Sequence, residues 1–196
     1  MIKRALPEPT GAPVIHFAPE QAITNLLQAR YGLAYQAADF TPESYAWLSV
    51  RKIDLSDPHA YLEPESVQGL VHSHVLEHVP ADLTRVIQCM NAAIQPGGFH
   101  LFCVPFFTRF YREDLNELPL QVREEMYGQF DHVRSFGTED FEHRVLSLFK
   151  DFERADIPVS ADDLSQAAVP LQAVRKLTSH SAFLFRKRTA AAPTAS

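Results

Sequence analysis

The apolar positions of this chain fall into short runs of two kinds, and the two kinds alternate. Val14-Ile15-His16-Phe17, Leu33–Ala38, Val50–Leu55 and Val67–His72 are brief runs bounded by Pro, Asp or Gly, as buried strands are. Segments with a helical repeat lie between them. Pro19 opens the first, its Ile23, Leu26, Leu27 and Tyr31 share one face, and Gly32 ends it. After the fourth strand, Leu83, Val86, Ile87, Met90 and Ile94 form one stripe on a helix that starts close to Pro80 and ends at Pro96-Gly97-Gly98. Phe99–Phe106 reads as a fifth strand.

The second half is less regular. Residues 107–137 form a polar and aromatic excursion with a helix over about Leu118–Tyr127 that Gly128 ends. Thr138 is placed to cap a helix through about Phe149 that turns Phe141, Val145, Leu148 and Phe149 inward. A weak strand at Ile157-Pro158-Val159 and a stronger one at Ser181–Phe185 close the pattern. Strands alternating with helices predict a mostly parallel sheet covered on both faces, with an antiparallel tail. A single domain over residues 13–188 is expected, between a flexible N-terminus (1–12) and a flexible C-terminal tail (189–196).

Composition narrows the class. A chain of 196 residues, 46% apolar and 21% charged, has room for one substantial core. A net charge of −6 argues against nucleic acid as a partner, because the basic clusters Lys3-Arg4 and Arg186-Lys187-Arg188 sit near the chain ends. No run approaches the roughly 18 apolar residues a membrane span needs, and no apolar stretch follows Lys3-Arg4 as it would in a secretion signal. Cys89 and Cys103 fall on a helix and a buried strand, where they pack as small apolar groups. A cytoplasmic protein with no membrane partner is expected.

The words HVLEHV (74–79) and QPGG (95–98), with the apolar strand that follows, resemble class I S-adenosylmethionine (SAM) dependent methyltransferases. The resemblance extends over roughly residues 14–187. It implies a Rossmann-like α/β fold: a seven-stranded, mostly parallel sheet with helices on both faces and an antiparallel last strand. It also implies SAM as cofactor, bound outside the carboxyl ends of the strands where strand order reverses.

Carried onto this sequence, the resemblance places His16, Phe17, Ala18 and Glu20 at the cofactor, in a first loop that lacks the family's glycines. Glu20 is a carboxylate suited to the ammonium of the methionine moiety, or equally a helix-start decoration. Asp39 falls where ribose hydroxyls are held, or where an Asx turn forms before Thr41-Pro42. Asp54 and Leu55 stand near the adenine, and His72 and Ser73 at the end of the fourth strand. Gln68 occupies a position where the family often has aspartate.

His74, at the mouth of the sheet, and His132, in Asp131-His132-Val133-Arg134, are the candidate general bases. Phe106, Tyr111 and Arg112 are the candidate acceptor contacts, suited to a small molecule, and the aromatic run 106–111 permits a homodimer. His72, His74 and His78 form an HxHxxxH run, but the run crosses strand, loop and helix without a cysteine partner, so no metal is expected. The resulting expectation is methyl transfer to oxygen or nitrogen of a small-molecule acceptor. The glycine-free loop keeps two alternatives open: a SAM-consuming cyclase or lyase releasing methylthioadenosine, and a non-catalytic binding module of the same fold.

Overall fold

The computed structural model describes residues 5–157, 159–166, 169 and 176–189. Its main sheet contains β1 (Val14–Phe17), β2 (Tyr35–Asp39), β3 (Val50–Lys52), β4 (Val67–Ser73), β5 (Ile94–Cys103), β9 (Phe152–Arg154) and β10 (Ala182–Lys187). The strand order is β3-β2-β1-β4-β5-β10-β9. Pairs from β3 to β5 are parallel, and β10 runs antiparallel to both β5 and β9. The chain moves outward from β1 to β3 and then returns to the other side of β1, so strand order reverses between β1 and β4.

The residue pattern explains this arrangement. β1 and β4 are buried along almost their whole length, as interior parallel strands must be. Alternate side chains face opposite layers. Val14, Val71, Phe99, Leu101 and Leu184 pack with Leu27 and Tyr31 of α1 (Gln21–Tyr31). Ile15, Leu70, Phe102, Phe183 and Phe185 pack with Val86, Ile87 and Met90 of α2 (Leu83–Ala93). Each such side chain stabilises the fold by about 1.5–3 kcal/mol.

Several boundaries shift from the sequence expectation. α2 begins at Leu83, because Asp82 caps it by accepting the Arg85 amide hydrogen at 2.7 Å. β5 starts at Ile94, before the Pro-Gly-Gly turn. A side chain at Gly98 would place its Cβ 2.4 Å from the Gln68 carbonyl oxygen, so only glycine lets the chain enter beside β4. The helix expected through Phe149 is the short α4 (Phe141–Arg144) followed by a 3-10 turn, although Phe141, Val145 and Phe149 still reach the core. The strand expected at Ile157-Pro158-Val159 is found instead at Phe152–Arg154, with Pro158 outside the described residues.

The excursion builds a small second sheet, β6 (Phe106–Thr108), β8 (Arg134–Gly137) and β7 (Arg112–Glu113), and the helix α3 (Leu120–Tyr127). Residues 5–12, expected to be flexible, are tied to the body. Arg30 donates to the Leu6 and Pro7 carbonyls, and Gln68 bonds both the Thr10 amide and the Glu8 carbonyl. Gln68 therefore serves as an anchor for the N-terminal segment. No described helix is long and apolar enough to cross a membrane.

Candidate active site

A cavity of about 560 Å³ opens at the carboxyl ends of β1, β2, β3 and β4, around the point where strand order reverses. Its volume lies within the range of small-molecule and cofactor sites. Phe17 and Ala18 follow from β1, Asp39, Phe40 and Thr41 from β2, and Ile53 to Ser56 from β3. His74, Val75, His78, Val79 and Pro80 come from the loop after β4, and Asp131 from the excursion.

Two backbone conformations shape its floor. Ala18 has φ of 47° and His74 has φ of 52°, left-handed values that cost a residue with a Cβ about 1–2 kcal/mol each. They stand at the ends of β1 and β4, on either side of the reversal. Ala18 thus adopts the turn a glycine would favour, and donates its N–H to the Ala38 carbonyl at 3.1 Å. Strain of this kind concentrates at ligand sites.

Asp39 carries the most organised carboxylate of the wall. Its Oδ1 accepts the Thr41 amide hydrogen at 2.8 Å and the Thr41 hydroxyl at 3.2 Å, and its Oδ2 accepts the Tyr45 hydroxyl at 2.8 Å. Burial first, and then this bond to Asp39, push the Tyr45 hydroxyl's pKa up, so it stays a donor. An Asx turn is therefore present at Asp39, and a carboxylate retains lone pairs for further donors from the cavity. Asp54 makes a second Asx turn, accepting the Ser56 amide hydrogen at 2.8 Å.

His74 sits against Glu77, with Nδ1 and Oε1 3.4 Å apart. The pKa of its imidazole is pushed up to about 10, by the neighbouring Cys103 first and Glu77 second, against the effect of burial. It is therefore an imidazolium at neutral pH, a proton donor before it is an acceptor. The loop that carries it is pinned from the excursion. The fully buried Arg134 donates to the Leu76 carbonyl, to the Ala81 carbonyl at 2.6 Å and to Glu113 at 2.8 Å, while the Val133 amide donates to the Glu77 carbonyl at 2.9 Å.

Of the residues singled out from sequence, Phe17, Ala18, Asp39, Asp54, Leu55 and His74 meet in this one cavity. The others lie elsewhere. His16 is buried on the opposite face of β1, bonded through Nδ1 to the Tyr35 hydroxyl at 3.2 Å. His72 is buried in the sheet against His100, and the Ser73 hydroxyl accepts from the Cys103 thiol at 3.1 Å. Glu20 is exposed at the start of α1 and does not cap it. His132 is buried behind His78, its ring 4.7 Å away. Phe106 packs on Phe141, Tyr111 donates to Glu113 at 2.6 Å, and Arg112 is exposed on β7, all away from the cavity wall. Phe40 and Thr41 were legible as neighbours of a strand end. Asp131 had no such signal, since it reaches the cavity only through the fold.

Comparison with protein-family models and with curated proteins found no match. Solved structures do match. A SAM-dependent methyltransferase from Mesorhizobium loti is 14% identical with a TM-score of 0.60, over 95% of this chain and 96% of that one. The YcgJ protein from Bacillus subtilis is 13% identical with a TM-score of 0.55, over 96% and 97%. A Haemonchus contortus phosphoethanolamine N-methyltransferase, solved with phosphomonomethylethanolamine and S-adenosylhomocysteine, is 15% identical with a TM-score of 0.53 over 95% of this chain and 51% of that one. The chain therefore has the fold of class I SAM-dependent methyltransferases.

Proposed function

We propose that this protein is a cytoplasmic SAM-dependent methyltransferase that acts on an oxygen or nitrogen of a small-molecule acceptor. The observation that carries the reading is the cavity at the strand-order reversal, with a left-handed turn at Ala18 and the Asp39 carboxylate on its wall. SAM, when bound, supplies an electrophilic methyl group on a sulfonium. The residues of this chain have the tasks of binding and alignment, which dominate an in-line displacement.

Asp39 accepts hydrogen bonds from a vicinal diol, its orientation fixed in advance by Thr41 and Tyr45. Asp54 and Leu55 offer a carboxylate and an apolar surface to a heterocycle beside Phe40. Phe17 and Ala18 form the floor, and the turn at Ala18 performs the task of the missing glycine. His16, His72 and Ser73 support this wall from behind, and the exposed Glu20 is the carboxylate free to turn toward an ammonium. His74 faces the acceptor side as a hydrogen-bond donor, and a neutral acceptor nitrogen or hydroxyl is the group it would orient. His132 stands behind it. Phe106, Tyr111 and Arg112 contribute an outer rim for the acceptor only if β6 and β7 close toward the cavity.

The test is calorimetric titration of SAM into the purified protein, with products followed by mass spectrometry. Saturable binding at micromolar concentration with SAM intact until an acceptor is added supports the proposal. Release of methylthioadenosine from SAM alone would replace it with cyclase or lyase chemistry. Absence of any binding would leave a non-catalytic module of this fold.

A further inference from the structure

Beside the cavity, three side chains with metal-ligating atoms converge from two separate segments. One donor atom each from Glu77, His78 and His132 lies within 4.8 Å of those of the other two. The histidine run suggested by sequence is not the group assembled, because His72 is buried in the sheet against His100.

The groups around the two histidines orient their rings. The Nδ1 of His132 is 3.0 Å from the Tyr127 carbonyl oxygen, which can only accept, so the proton is on Nδ1 and the Nε2 lone pair is free. The Nδ1 of His78 faces Asp131 Oδ2 at 3.2 Å, an ionic contact that turns this nitrogen toward the carboxylate. A carbonyl and a carboxylate holding the far nitrogens of two histidines is the outer-sphere arrangement that orients imidazoles toward a metal. Among the described residues, neither Nε2 has a hydrogen-bond partner.

Glu77 supplies the third group. Its carboxylate is completely buried, and neither oxygen makes a hydrogen bond. His74 approaches Oε1 at 3.4 Å without hydrogen-bond geometry, and among the described residues Oε2 has no hydrogen-bond partner. Arg134, the nearby buried cation, is committed to Leu76, Ala81 and Glu113. The His74 imidazolium 3.4 Å away compensates Oε1 only in part, and a carboxylate buried without a hydrogen bond is stabilised further by a second cation.

We propose that Glu77, His78 and His132 bind a divalent transition metal of the zinc class at the edge of the cavity. Two imidazoles and one carboxylate are a donor set for such ions, with bond lengths of about 2.0–2.2 Å. Around a tetrahedral ion of that size donors lie about 3.3 Å apart, so side-chain rotations of about 1 Å close the present cluster. Glu77 and Asp131 set two negative charges beside the ion and the His74 imidazolium. Glu77 and His78 are held near His132 by the Val133–Glu77 backbone bond and by Arg134, so the site is preorganised. His78 also lines the cavity, which gives the ion a route in and leaves its open coordination position toward a bound substrate. The inference is independent of the methyl-transfer reading.

The test is titration of Zn²⁺ into the chelator-stripped full chain without SAM, with Co²⁺ absorption reporting the coordination. One ion per chain at micromolar affinity or tighter is expected, with tetrahedral-type Co²⁺ bands that Zn²⁺ abolishes. His132 is buried and Glu77 sits in the core, so His78→Ala and Asp131→Asn, at partly exposed rim positions, carry the decision. His78→Ala should weaken binding at least tenfold, and Asp131→Asn about 10–100-fold through loss of imidazole orientation. Replacing the exposed His180, which is not among the three converging side chains, by alanine should change nothing. Absence of one-to-one binding overturns the proposal, as does binding that His78→Ala and Asp131→Asn leave within twofold of the original.

Discussion

Lowering the pH from 7 to 5 should cost this fold a large share of its stability, through histidines that the core holds neutral. Asn91 donates from Nδ2 to the Leu148 carbonyl at 3.3 Å, which turns its Oδ1 to His100 Nδ1 at 2.8 Å. His100 Nδ1 therefore carries the proton, its Nε2 accepts at 3.0 Å, and His72 Nε2 is the donor. Neither ring has room for a second proton without placing a cation in a dry site. Burial lowers the pKa of His100 to about 3 and that of His16 to about 4, and it holds His72 well below its ordinary value. In the unfolded chain each titrates near 6.5.

Because the folded pKa values are depressed, the unfolded chain binds more protons below pH 6.5. Stability is complete above that pH and is lost as pH falls toward the folded values. At pH 5 the loss is about 2 kcal/mol for each of His16 and His100, about 4 kcal/mol together. Domains of this kind have only about 5–15 kcal/mol in total. His74, whose pKa is raised, acts in the opposite sense, but its contribution is lost above pH 6.5 and is constant below it. Urea denaturation at constant ionic strength, followed by circular dichroism, should show the midpoint falling by about 1–2 M between pH 7 and 5. His100→Gln should remove about half of that dependence. A midpoint that does not move with pH, or a His100→Gln slope identical to the original, would refute the reasoning.

Three substitutions probe the cavity and its support. Asp39→Asn should weaken SAM binding by about 1.5–3 kcal/mol through the loss of charge-assisted hydrogen bonds, and unchanged affinity in calorimetry would remove Asp39 from the ribose role. His74→Ala should lower turnover while SAM affinity stays near normal, and an equal loss in both would mark a residue that only shapes the loop. Arg134→Met should cost about 3–5 kcal/mol in chemical denaturation, because it leaves Glu113 and two carbonyls without their buried partner.

The local periodicities of the chain were sufficient for its architecture. Short continuous apolar runs mark strands buried on both faces, the single stripe on α2 buries one face, and such patterns need no knowledge of distant residues. Ala18, Asp39 and Asp54 were reached through the family resemblance, which places the cofactor where a parallel sheet opens its cavity at strand ends. The long helix expected after Thr138 failed where spacing alone could not tell an α-helix from a tight turn with the same inward residues.

What only the tertiary structure decided was which polar groups meet. His72 finds His100 through the register of β4 against β5. His132 finds Glu77 and His78 because Arg134 binds the carbonyls of Leu76 and Ala81, a choice made across more than fifty residues of sequence. The left-handed turn at Ala18 is likewise absent from residue preference, since alanine disfavours it. Hydrogen bonds and strain of this kind are imposed by packing around the reversal of strand order. A sequence pattern records the face a residue buries, whereas its partners depend on where the chain returns.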